Sequence, residues 1–110
     1  MEKLIIGAGF VSLMIRHARS LKDKRQIIHS LMQKLKNEGF STTEMGFGDN
    51  HKRAMIGFCI CSHSVGAATE QLEKAKRIFI GDFEVVHAKK EILELDTGFE
   101  LPFLDPEDQD

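Results

Sequence analysis

The chain has 110 residues, 42% hydrophobic and 29% charged, which is the balance of one soluble globular domain and excludes fibrous, disulfide-stapled and wholly disordered classes. A domain of this size buries about two thirds of the surface its unfolded chain exposes, so it needs no metal or disulfide to fold. The net charge of −2 conceals a division: residues 96–110 hold six acids and no base, leaving a body of +4 joined to a tail of −6.

Residues 3–15 form an apolar run rich in β-branched side chains, with one charge and two glycines, and this predicts a central strand. Ser20 then offers an N-cap with Asp23 three residues on, and Ile27, Ile28, Leu31 and Leu35 recur at helical spacing until Gly39, so the first helix is expected over residues 21–38. Residues 40–45 read as a short strand, 46–50 as a turn and 53–62 as a second apolar strand, together a hairpin. Ser64 caps a second helix carrying Val65, Ala68, Leu72, Ala75, Ile78 and Phe79 and stopping at Gly81. Residues 83–95 complete the set as the last strand.

The order βαββαβ predicts an α+β fold, the ferredoxin-like sandwich: a four-stranded antiparallel sheet with two helices on one face and the first and third strands in the centre. The domain is expected over residues 1–95. The acidic tail, 96–110, carries an apolar island of Phe99, Leu101, Phe103 and Leu104 that either packs on the sheet or remains partly disordered. No stretch reaches the roughly 18 apolar residues of a membrane span, and Met1-Glu2-Lys3 passes into the first strand without a signal pattern, so a cytoplasmic protein with no membrane partner is expected. Cys59 and Cys61, one residue apart in a strand, read as free thiols in a reducing compartment.

Three motifs invite a chemical reading. Leu4-Ile5-Ile6-Gly7-Ala8-Gly9 followed by Ser12 resembles the start of a dinucleotide fingerprint, but the third glycine is missing and no acid closes a second strand about 20 residues on, so no nucleotide cofactor is expected. The two glycines read instead as room for the first helix to pack closely. Cys59, Cys61 and His63 alternate along one strand face, yet strand positions i to i+4 span about 13 Å, too far for one ion, and the cysteines read as small buried hydrophobes. No paired carboxylates, nucleophile with its base or phosphate-gripping loop supports a reaction class, so no catalytic residue, cofactor or metal is assigned.

The third motif is the densest positive charge in the chain. Arg16, Arg19, Lys22, Lys24 and Arg25 surround the start of the first helix, and the topology brings Lys52 and Arg53 from the hairpin and Arg77, with Lys74 and Lys76, from the second helix to the same end. Cations in a first helical turn oppose the helix dipole by about 0.3 kcal/mol or more each, so Lys22 and Lys24 point to a use beyond helix stability. An anion is the ligand such a surface favours, and RNA backbone or a ribosomal partner is the expectation. The competing reading places the function on the open sheet face, where Phe10, Met14 and Met55 would project with the cysteines while Phe58 points inward; a homodimer or the chain's own tail would cover this surface.

The segment Ala18-Arg19-Ser20-Leu21-Lys22-Asp23-Lys24-Arg25, with Arg53-Ala54-x-Ile56-Gly57 and Ser62, resembles the YlxP-like family of small bacterial proteins, a domain of unknown function, over residues 4–95. The resemblance implies a ferredoxin-like fold and a gene neighbourhood shared with transcription and translation factors. It implies no catalytic residues. The acidic tail and the apolar Phe10, Met14 and Met55 depart from the polar open face expected of the family.

Overall fold

The computed structural model describes residues 3–96. Its elements run β1 (Lys3–Met14), α1 (Leu21–Asn37), β2 (Ser41–Met45), β3 (Arg53–Ser62), α2 (Val65–Ile78) and β4 (Glu84–Asp96). All strand pairs are antiparallel and the sheet order is β2-β3-β1-β4, so the ferredoxin-like arrangement expected from the sequence is the one observed. Phe99, Leu101, Phe103 and Leu104, expected to cover the sheet, lie outside the described residues.

Both helices start, and α1 stops, on signals written in the sequence, whereas α2 ends at Ile78 with Phe79 as its C-cap and without a left-handed glycine at Gly81. Ser20 accepts a hydrogen bond from the Asp23 N–H at 3.1 Å, and the Asp23 carboxylate accepts from the Arg19 N–H at 2.9 Å, so two backbone donors at the start of α1 are satisfied by side chains. At the far end Gly39 adopts φ +94, which lets its N–H reach the Lys36 carbonyl and the Phe40 N–H reach the Leu35 carbonyl. This pair of bonds is the Schellman stop, and it delivers buried Phe40 beside buried Leu35. In α2, Ser64 accepts from the Ala67 N–H at 3.1 Å.

Alternation along β1 divides the molecule. Ile5, Val11 and Leu13 face the helices and are buried, as are Ala54 and Ile56, which pair with Leu13 and Val11 on β3. Ile28, Leu31 and Leu35 of α1 and Leu72 and Ala75 of α2 close over them to form one core. Each fully buried Leu or Ile contributes about 1.5–3 kcal/mol, so the shared core outweighs the weak intrinsic preferences of the separate elements. Phe58 points inward as expected, packed edge-on against Phe40 and beside Phe79.

The β1 glycines make room for something other than the expected partner. A Cβ on Gly7 would lie 3.3 Å from Leu72 of α2, and one on Gly9 would lie 2.9 Å from both the Lys89 carbonyl oxygen and the Phe58 ring. The close approaches are thus to the second helix, to a neighbouring strand and to an aromatic ring, and none is to α1. Between β1 and β4 the register shifts: Ser12 pairs with His87 and Leu13 with Val85, leaving Val86 as the extra residue of a bulge.

The glycine contacts give a stability prediction. Gly9→Ala presses a methyl group against a backbone oxygen that cannot rotate away, so we expect a loss of about 1–3 kcal/mol in urea unfolding. Gly7→Ala meets only the end of a flexible leucine and should cost clearly less. Equal losses at the two positions would contradict this account.

Candidate functional site

The three segments expected to converge do so at one end of the domain. The Ile15 N–H donates to the Lys52 carbonyl at 2.7 Å, and the Lys52 ammonium donates to the Arg16 carbonyl at 3.1 Å, tying the end of β1 to the β2–β3 hairpin. Arg16 pairs with Glu84 at 3.2 Å and His17 lies 3.8 Å from Asp82, joining the same loop to the segment that follows α2. Arg77 occupies the last turn of α2 at this end.

The cations gathered there have separate occupations. Lys24 is the most buried of them, 1% exposed, with its ammonium directed into the hairpin. It donates to the carbonyls of Phe47 at 2.8 Å, Asn50 at 2.9 Å, and Gly48 and Arg53 at 3.3 Å each, with the Glu44 carboxylate 3.7 Å away. Three N–H donors shared among four carbonyls satisfy a buried charge by hydrogen bonding, which is the condition for burying one at all. Lys24 therefore does not belong to the solvent-facing anion surface on which the sequence placed it. Its position in the first turns of α1 makes sense as an anchor for the loop.

Arg53 is also diverted. Its guanidinium lies over the Phe47 ring at 4.5 Å and donates to the Ser12 hydroxyl at 3.1 Å on the open face of the sheet, while its Nε is buried without a partner among the described residues. Phe47 itself has φ +56, in the left-handed region that a phenylalanine rarely enters. The Lys24 bond to its carbonyl and the Arg53 contact with its ring hold it there.

What remains exposed is a smaller set. Arg19, Lys22, Arg25 and Arg77 face solvent, and their side chains make no hydrogen bond or salt bridge among the described residues. Arg16 is exposed but shares its charge with Glu84. Lys22 and Arg25 line a shallow groove of about 550 Å³ between α1 and β2, with His29, Gln26 and Glu44 beside them and Ile28 and Met32 beneath. His29 was not singled out from the sequence as a site residue. Its place one turn beyond Arg25, on the same helix face, was the available signal.

The open face carries the apolar surface expected of it. Phe10, Met14 and Met55 are half-buried there, Phe10 with its ring 5.6 Å from that of His87, and Met45 lies over Gly57. Leu93 and Leu95 extend the patch along β4 at 47% and 59% exposure. Cys59 and Cys61 share this face as free thiols and are exposed, a correction to their reading as buried hydrophobes: β2, their neighbour on the outer side, is only five residues long and presents small Ser41 and Thr43 on that face. His63 lies beyond the end of β3, and among the described residues no three histidine, cysteine or acidic groups are gathered in metal-binding positions. No helix among the described residues is long and apolar enough to cross a membrane.

Comparison with known proteins gives a family and little else. The family described as "Protein of unknown function (DUF503)" matches residues 6–91. No curated protein matches the sequence. Among solved structures, the de novo designed protein Foldit4 is similar, with 11% identity, 86% of this chain and 98% of that chain covered, and a TM-score of 0.40.

The Lys24 cage is directly testable. Lys24→Met removes the ammonium and strands several inward carbonyls, so unfolding in urea should show a loss of about 3 kcal/mol. Lys22→Met, two residues earlier and exposed, should stay within about 0.5 kcal/mol of the parent protein.

Proposed function

The chain belongs to the DUF503 family, and we propose that it is a YlxP-like member acting as a non-enzymatic, cytoplasmic bacterial binding module that engages RNA backbone, alone or on the ribosome. One observation carries this reading: Arg19, Lys22 and Arg25 stand exposed around the start of α1 with no acid paired to them among the described residues, Lys22 and Arg25 beside a groove that His29 also lines. The acid nearest in sequence, Asp23, is committed to the Arg19 N–H. Phosphates along a nucleic-acid strand would receive three cations here, and the first free N–H groups of the helix add a positive dipole end. Arg16, Lys52 and Arg77 extend the positive surface around the same end of the domain. Such contacts position a backbone and supply affinity without a sequence code.

Titration of the full chain with structured RNA across a salt series tests the reading. Arg19→Ala/Lys22→Ala/Arg25→Ala should weaken binding and flatten the dependence of log K on log salt by about 2, whereas the parent protein keeps the steeper slope. No binding by the parent at low salt, or a triple variant with unchanged slope, rejects it.

A second reading rests on a different observation, the apolar side chains of Phe10, Met14, Met55, Leu93 and Leu95 on the sheet face that no helix covers among the described residues. A homodimer through that face would remove it from water, and apolar patches of this extent mark interaction surfaces. Sedimentation of the full chain against residues 1–95 should then show association that depends on Phe10 and on Phe99, Leu101, Phe103 and Leu104. Monomers in both cases would dispose of this alternative.

A further inference from the structure

On the helix-covered side of the sheet a cleft of about 450 Å³ opens between α2 and β4. Its origin is geometric: α2 packs over β1 and β3, while β4 runs along the edge beyond the helix's cover and stays exposed at every position but Ile92. Val11, Leu72 and Phe79, all largely buried, form the inner wall with Phe58, and Val85 and Ala88 of β4 form the outer one. The volume lies within the range of about 300–1,000 Å³ usual for small-molecule sites. Its walls are apolar and open to water, the combination in which an apolar guest gains by displacing solvent.

The rim is charged and unevenly so. Lys90 of β4 donates to the Glu73 carboxylate of α2 at 3.1 Å, bridging the two elements. That hydrogen bond and the neighbouring positive charges hold the Glu73 carboxyl below the usual value of 4.5. Lys76 lies one turn further along α2, lines the cleft, and makes no hydrogen bond or salt bridge among the described residues. On the helix-covered side the rim therefore has Lys76, Lys90 and Glu73; Lys89 also lines the cleft but pairs with Phe10, whose side chain lies on the open face.

We propose that this cleft binds a small amphipathic carboxylate, with its apolar chain between Leu72, Phe79 and Val85 and its carboxylate on Lys76. On the helix-covered rim Lys76 is the lysine that makes no salt bridge among the described residues and so matches one negative charge, and Glu73 beside it repels dianionic head groups such as phosphate monoesters. The site shares no residue with Arg19, Lys22 or Arg25 and is independent of the RNA reading.

The test is a titration of the isotope-labelled full chain with sodium decanoate, kept below its micelle concentration, followed by amide chemical shifts. Shifts should concentrate at Val11, Leu72, Val85 and Ala88 and saturate. Decanol, which lacks the charge, should bind about tenfold more weakly, and Lys76→Glu should weaken decanoate by at least as much. Ala88→Phe fills the cleft from an exposed strand position and should abolish the shifts; if that variant fails to fold, the exposed helical Lys76→Glu still decides the matter. The Arg19→Ala/Lys22→Ala/Arg25→Ala variant should bind decanoate as the parent does, which separates this result from the fate of the RNA proposal. Shifts centred on Met55 and Leu93 across the open face, equal affinity for decanol and decanoate, or undiminished binding by a folded Ala88→Phe would overturn the proposal.

Discussion

A single buried ammonium organises the end of the molecule on which any basic-surface function depends. Lys24 reaches from the second turn of α1 into the β2–β3 hairpin, and its bonds to four carbonyls fix where the loop lies relative to the helix. Without it the hairpin tip would turn those carbonyls toward a dry interior with nothing to satisfy them. With it, Phe47 is held in a left-handed conformation, its ring supports Arg53, and Lys52 is placed to bond the backbone at both ends of its own side chain and main chain. The exposed cations around α1 thus rest on a platform made by the most buried of their number.

This arrangement explains why the fold was readable from the sequence and the site only in part. Strand and helix limits agree to within a residue or two because each is announced locally: Ser20 and Ser64 as caps, Gly39 as a stop, the alternation from Ile5 to Leu13 as a half-covered strand. The inward Phe58 and outward Phe10 follow from the same period of two. Topology then places the three basic segments at one end. All of these are properties of short stretches or of connectivity.

What sequence could not give is the fate of each charge. Lys22 and Lys24 are two residues apart on one helix and look equivalent in composition, yet one is solvated and the other is 1% exposed. A helix turns about 100° per residue, so the two point in directions nearly opposite; Lys24 falls on the stripe of Ile28, Leu31 and Leu35, a periodicity present in the sequence, but the carbonyls that satisfy its charge depend on where the hairpin lies. Gly7 and Gly9 show the same limit: a pair of glycines in a strand announces close approach but not the approaching partner, which proved to be Leu72 for one and Phe58 with the β4 backbone for the other. The α2–β4 cleft has no sequence signature, since it arises where an edge strand outruns the helices above it.

The β4 edge has a bearing on how the protein behaves in a crowded solution. A strand of thirteen residues with no neighbour on its outer side among the described residues would ordinarily recruit strands from other molecules. Here Lys89 and Lys90 put a positive charge on each face at mid-strand, and the bulge at Val86 disturbs the spacing that a docking strand must match. A second strand laid along this edge would have to accommodate both lysines and lose registry near Val86. Both features make the edge a poor template for open-ended addition of further strands.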